Sequence, residues 1–301
     1  MTRSIHLIVG PGRGRFPSSN CLLIKSSPKT VLVDAGCGRD NILAVRDRVD
    51  AVLYTHIHPD HIAHHELLRG KETYMPIYDA QFQTLEELAK RFAPPIWRDW
   101  IDYVQRVFNL KTVPIPTATF EPWETVRIGA VEIEAIPAHG HTRGHHVLLI
   151  GSHAHISDID LTGFGPWYGH PESSLTAFIA DMDMVAGLDA KTYTTSHKEY
   201  TYTRDPLLEE LSRYRKALDR QITSVAEYLG SIGGEARPGD LVDKGLIYRR
   251  KLEGVKTVMD YFERKMIEEI LDYLAAQKIL AKTVKGYKAI TVSGNGCSHG
   301  T

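Results

Sequence analysis

The chain has 301 residues with 36 basic and 37 acidic side chains, a formal charge of −1. That length suits one large domain, or one domain with an appendage, and can bury a sizeable core, and the charge balance excludes a global basic field for gathering nucleic acid. The three cysteines, Cys21, Cys37 and Cys297, are far apart and odd in number, so they imply no disulfide framework. No stretch is apolar enough for a membrane span, and the first residues lack the apolar run of a signal peptide. A reducing cytoplasm and no membrane partner are the expectation.

Short apolar or β-branched runs bounded by turn residues predict strands over 5–9, 21–25, 31–34 and 52–55. Residues 10–15, rich in glycine and proline, form a hairpin loop. A phosphate loop is rejected there because no Gly-Lys-Ser/Thr follows. Directly after the fourth strand stand His56, His58, Asp60 and His61, four metal-capable side chains within six positions. Ligands offered from a strand end and the loop beyond it converge on an ion without unfolding regular structure. Imidazole and carboxylate together suit zinc, iron or manganese.

Helical spacing of Phe82, Leu85, Leu88, Ala89 and Phe92 predicts a helix over 80–92, broken by Pro94-Pro95. A second helix over 96–110 carries Trp97, Trp100, Ile101, Val104 and Phe108, a stripe read as packing. Residues 125–136 read as a hairpin, and 147–150 with 154–157 as another that ends at Asp158. A loop follows with Trp167, Tyr168 and His170 as candidate substrate contacts, the pocket-wall and core readings of its aromatics being about even. Leu175, Phe178, Ile179 and Met182 mark one face of a helix running to about 187. Beyond His197, Asp205-Pro206 opens a helix carrying Leu207, Leu211, Tyr214, Leu218, Ile222, Val225 and Leu229 up to Gly233-Gly234. Further helices are expected over 241–251 and 255–277, a hairpin over 278–290, and a flexible tail over 291–301.

Thr-His-x-His-x-Asp-His at 55–61 resembles the signature of the metallo-β-lactamase superfamily. Four further segments are similar to the remaining family motifs, in the family's order: 30–36 ending at Asp34-Ala35-Gly36, 138–145 around His141, 155–160 with Asp158 and with Ser157 where glycine is usual, and 194–197 ending at His197. The resemblance covers residues 1 to about 200 and implies a four-layer αβ/βα sandwich, here over 1–204, with a mainly helical extension over 205–290. It further implies that His56, His58 and His141 hold one divalent ion, that Asp60, His61 and His197 hold a second, and that Asp158 bridges them. Two such ions, zinc before iron or manganese, share a hydroxide and lower the pKa of its parent water. Asp60 and Asp34 are the candidate catalytic carboxylates, Asp60 by accepting a proton and Asp34 by orienting a ligand. His64, His65, His139, His145 and His146 are assigned hydrogen-bonding or packing roles. In this family the 10–15 loop and the 80–110 region flank the pocket, which makes Arg13 and Arg15 candidate substrate contacts.

The expected activity is hydrolysis of an ester, thioester, lactone or phosphoester in a small-molecule substrate. The extension also resembles the winged-helix-like tail of lactamase-like endoribonucleases, so single-stranded RNA is the alternative substrate. Residues 205–288 carry 16 basic and 14 acidic side chains, too mild an excess to gather a strand unaided. Packing on the sandwich or on a homodimer mate is therefore the preferred account of the tail. An iron sulfur dioxygenase shares the signature and stands as the third reading.

Overall fold

A computed structural model describes residues 4–251 and 253–290; the expected tail over 291–301 lies outside the described residues. Strand β1 (Ser4–Ile8) returns through a 3₁₀ turn at Pro11–Gly14 into β2 (Cys21–Lys25), which pairs antiparallel with β3 (Thr30–Val33). β4 (Ala51–Leu53), β5 (Glu72–Pro76) and β6 (Ala118–Phe120) then add in parallel, giving a six-stranded sheet in sequence order. The period-two alternation of side chains sorts the first sheet's residues between two layers. Leu22, Ile24, Val31, Val33 and Leu53 enter the core between the sheets. Cys21, Leu23, Leu32 and Val52 point the other way, under α1 (Arg39–Val45), α3 (Leu85–Phe92) and α4 (Trp97–Phe108). The very short α2 (Pro59–Ile62) carries two of the proposed ligands.

The second sheet holds β7 (Thr125–Ile128), β8 (Val131–Pro137), β9 (His146–Ile150), β10 (His153–His155) and β11 (Thr192–Thr194) in the order β11-β10-β9-β8-β7. Its inner face meets the first sheet through Val126, Ile128, Ile133, Leu148 and Ile150. Its outer face is covered by α5 (Leu175–Gly187) and α6 (Arg204–Ser231). The result is the αβ/βα sandwich. α7 (Lys256–Ala276) packs across α4, α5 and α6, and a small sheet of β12 (Glu235–Ala236), β13 (Leu280–Thr283) and β14 (Gly286–Ala289) closes the chain in the order β12-β14-β13. Among the described residues no helix is long and apolar enough to cross a membrane.

Two helix expectations need correction. The helix placed over 80–92 begins only at Leu85, because the Thr84 side chain accepts the Glu87 N–H while the Glu87 carboxylate accepts the Thr84 N–H, a capping box that sets the start. The segment 241–251 is not a helix: after a 3₁₀ turn at Pro238–Leu241 it runs as turns and bends, with Gly245 at φ +70°. Buried Glu263 of α7 fixes this loop, accepting the N–H groups of Asp243 and Tyr248 and pairing with Lys251 at 2.6 Å.

Among the described residues one core runs across residue 204. Leu207, Leu211, Tyr214 and Leu218 of α6 lie in one continuous core with Ile156 and Tyr193 of the second sheet's region and with Met266 and Ile270 of α7. Burying one such side chain contributes roughly 1.5–3 kcal/mol, and a whole domain is stable by only about 5–15 kcal/mol. A chain ended after residue 204 is therefore expected to lose its cooperative unfolding transition in a thermal melt. A truncated protein that stays soluble and melts sharply would show instead that the sandwich closes without α6.

Candidate metal centre

Five strand ends deliver the proposed site residues to one edge of the sandwich. β3 runs into Asp34, β4 into His56, β8 toward His141, β10 into Asp158 and β11 toward His197. Asp60 and His61 follow on α2, beneath which the 34–36 turn passes so tightly that a Cβ on Gly36 would lie 1.7 Å from the Asp60 carbonyl oxygen. Only glycine fits there.

The side chains gather into two groups of four, His56, His58, His141 and Asp158, and Asp60, His61, Asp158 and His197; the ligand atoms of each lie within 4.8 Å of one another. Asp158 belongs to both. Its Oδ2 faces His141 Nε2 at 3.2 Å and His56 Nε2 at 3.8 Å, and its Oδ1 faces His61 Nε2 at 3.0 Å and His197 Nε2 at 3.6 Å. Asp60 Oδ2 lies 3.3 Å from His197 Nε2. All seven residues are buried.

The opposite nitrogens of these rings are tied back. His61 Nδ1–H donates to Asp34 Oδ2 at 2.8 Å, His141 Nδ1–H to the Trp167 carbonyl at 2.9 Å, and His197 Nδ1–H to the Gly14 carbonyl at 2.9 Å. Such bonds fix tautomer and ring orientation and aim each Nε2 at the centre. The Thr55 hydroxyl, itself donating to Asp34 Oδ2, accepts from His56 Nδ1 at 3.1 Å. Ser157, where the family's glycine is usual, has φ +47°, a conformation that favours glycine, and its hydroxyl bonds Thr55 Oγ1 at 3.0 Å. His145 Nε2 accepts the backbone N–H of Asp158 at 3.0 Å and so places the shared carboxylate. Asp79 accepts the Ile57 N–H at 3.1 Å and is clamped by Arg91, which also grips Glu172. Burial, opposed by Arg91, lifts Asp79 to about 6.

The Nε2 atoms of His56 and His61 and Oδ1 of Asp158 are buried without a hydrogen bond, and His58 turns Nδ1 to within 2.7 Å of His141 Nε2. Unsatisfied buried polar atoms are costly, and imidazole nitrogens gathered with carboxylate oxygens in this way are the donor set of a borderline-hard divalent ion. The residues fit the metals that the motifs imply.

Burial lowers His56 and His58 well below the ordinary imidazole range, helped by neighbouring histidines. Burial works in the same direction on His61 and His197, yet Asp158, with Asp34 and Asp60 for His61 and Asp60 for His197, overrides it and raises both well above that range. Asp158 is desolvated as well, and the His61 and His197 charges hold it well below the usual carboxylate range.

Of the sequence candidates, Asp34 is fully buried and reaches Thr55 and His61, so its part is to orient rather than to touch substrate. Trp167 lines the cavity over the ligands, as does Arg15. Arg13 instead turns to Glu199 and Tyr200 at the surface. Tyr168 and His170 are corrections. Tyr168 is fully buried with its hydroxyl donating to Gln221 at 3.0 Å, and His170 is sealed behind His58 and Phe92, its Nδ1 accepting the Glu172 N–H. Neither faces the cavity. Sequence reasoning missed the wall that residues 248–262 give this cavity, through Tyr248, Val255, Val258, Met259 and Phe262. The apolar spacing of Val255, Val258 and Phe262 was the available signal, but spacing does not name the surface a stripe meets.

Two ligand groups sharing one carboxylate, at the strand-end edge of an αβ/βα sandwich, define a metallohydrolase centre. The model of the metallo-beta-lactamase superfamily matches residues 14–197, and the chain belongs to that superfamily. It is 26% identical over 213 residues to a hydroxyacylglutathione hydrolase of Acidiphilium cryptum (strain JF-5), covering 70% of this chain and 75% of that relative. Among solved structures it resembles a metallo-beta-lactamase family protein from Thermus thermophilus, at 17% identity and a TM-score of 0.67 over 95% of this chain and 98% of that one. It also resembles a beta-lactamase domain protein from Burkholderia ambifaria, at 18% identity and a TM-score of 0.64 over 90% and 87%. With its ligand set, the chain is a metal-dependent hydrolase.

Replacing Asp158 by Ala removes the carboxylate both groups share and leaves the sheets untouched. The variant is expected to lose bound metal by elemental analysis and turnover by orders of magnitude, while its circular dichroism and melting transition stay close to wild type. Full turnover by a metal-replete variant would contradict the shared ligand.

The neighbouring carboxylates favour the protonated forms of His61 and His197, and an incoming ion must displace those protons. Titration calorimetry of zinc at neutral pH should give heats that change with the ionisation enthalpy of the buffer, and affinity should weaken as pH falls. Buffer-independent heats would mean that both rings are already neutral.

Proposed function

We propose that this protein cleaves an ester-type bond with water, at a site where two divalent ions, zinc foremost, are held by His56, His58, His141 and Asp158 and by Asp60, His61, His197 and Asp158. The observation that carries the reading is the division of Asp158, one carboxylate oxygen facing each histidine group. Bound there, such ions supply an acidified water as nucleophile at neutral pH and polarise the bond to be broken. The chain's own residues supply the rest. Asp60 lines the cavity and is placed to take the proton of the attacking water; in an acyl substrate the oxygen adds to the carbonyl carbon, the C–O or C–S bond breaks, and the leaving group receives that proton. Asp34, Gly14 and the Trp167 carbonyl hold the ligand rings in orientation throughout.

Among ester, thioester, lactone and phosphoester bonds, the acyl members are favoured by the similarity to a protein named hydroxyacylglutathione hydrolase. RNA as substrate gains no support from the cavity, whose wall is largely aromatic and aliphatic and offers few cations to a polyanion. The deciding experiment pairs elemental analysis of the purified protein with hydrolysis assays on a carboxylic ester, a thioester, a lactone, an aryl phosphodiester and single-stranded RNA. The expected result is two zinc ions per chain and turnover of the acyl substrates. One iron per chain with no hydrolysis would turn the reading to an iron oxygenase.

A further inference from the structure

The ligand groups open onto a cavity of about 510 Å³, within the roughly 300–1,000 Å³ of small-molecule sites. At one end stand His58, Asp60, His141, Asp158 and His197. Away from them, separate parts of the chain bring large apolar side chains to the same space: Phe16 from the β1–β2 connection, Trp100 and Phe108 from α4, Phe164 and Trp167 from the loop after Asp158, and Phe262 from α7.

Two polar atoms of this wall are already occupied. Trp167 Nε1–H donates to the Tyr248 hydroxyl at 2.8 Å, and that hydroxyl in turn reaches Met266 Sδ at 3.8 Å. The indole and the phenol therefore present ring surface rather than donors. Among the described lining residues the lysine and arginine side chains are Lys198 and Arg15. Lys198 follows the ligand His197 and lies 4.0 Å from Glu210, and Arg15 stands between Gly14, whose carbonyl holds that ligand, and Phe16 of the apolar wall. Phe16 and Phe164 remain 52% and 37% exposed, apolar surface left toward solvent at the cavity. Exposed apolar surface gathered at one site marks a binding surface.

We infer that the substrate's acyl part is an uncharged, apolar chain or ring, held in this aromatic chamber while its carbonyl lies over the ligand groups. The inference rests on the hydrolase reading and narrows it: an acyl group ending in a carboxylate would be desolvated against a mainly aromatic and aliphatic wall, with Lys198 and Arg15 as the lysine and arginine side chains among the described lining residues. Each buried methylene strengthens binding by a factor of about four.

The test uses the metal-loaded full chain and p-nitrophenyl acetate, butyrate, hexanoate and octanoate. The ratio kcat/KM is expected to climb by about fourfold per methylene over the first steps, mainly through KM. The p-nitrophenyl half-ester of glutarate should fall at least about tenfold below the hexanoate, because its carboxylate would be desolvated unpaired. Phe164→Asp places a charge on an exposed wall position and should flatten the series, seen as a smaller hexanoate-to-acetate ratio. In the metal-free protein 1-octanol should quench or shift tryptophan fluorescence saturably, and more weakly in that variant.

A flat series, or a glutarate half-ester as good as the hexanoate, overturns the inference and leaves the hydrolase reading standing. Failure of 1-octanol to bind overturns it as well. Absence of turnover on every ester overturns the functional reading instead, and the alcohol titration then still decides whether the chamber takes an apolar chain.

Discussion

The Asp158 carboxylate is the constraint around which this molecule is arranged. Its two oxygens face different histidine groups, so the strand-end loops of both sheets must converge closely on one point. β4 supplies ligands from the first sheet and β8, β10 and β11 from the second. The inter-sheet core of Leu22, Val33, Leu53, Ile133 and Leu148 fixes the distance between those loops. Packing at close to crystalline density keeps that distance from drifting. The site is thus precise because the sandwich is, although none of its ligands belongs to the sheets.

Charge sets a second condition. The histidines and carboxylates of the two groups are taken out of water together, and neither kind would tolerate this alone. The outcome is uneven: His56 and His58 are driven toward neutrality by burial and by neighbouring histidines, whereas the carboxylates keep His61 and His197 charged. The Asp34 side chain continues the pattern outward, fully buried yet joined to His61 and twice to Thr55. Its backbone, at φ +61°, lies in a region few aspartates adopt, which is the conformational cost of turning that carboxylate under the loop.

Much of the centre was legible because its chemistry is local. A strand end followed by His56, His58, Asp60 and His61 names a metal loop from residue types and spacing alone, and the family resemblance adds one motif before it, at 30–36, and three behind it. The wall was not legible, because it depends on which surfaces distant segments meet. The helix over 255–277 was legible as a helix, but its facing the ligand cavity follows from packing against α4 and α5. The segment 241–251 carries enough apolar spacing to suggest a helix, and only the buried Glu263, a partner far along the chain, gives its backbone a different set of hydrogen bonds. Trp167 and Tyr168 show the same limit at the smallest scale: adjacent aromatics of one irregular loop point to opposite sides, one to the cavity and one to the core, and composition cannot tell which.

Trp167 takes part in both halves of the site through different atoms. Its indole contributes to the chamber and touches the α7 side through Tyr248, whereas its backbone carbonyl holds the His141 ring. Any residue at that position would still offer the carbonyl. The chamber can therefore be reshaped at its centre by substitution without removing the bond that orients a metal ligand. Seen over evolutionary time, this separation lets a lineage exchange one substrate for another while the hydrolytic apparatus is inherited unchanged.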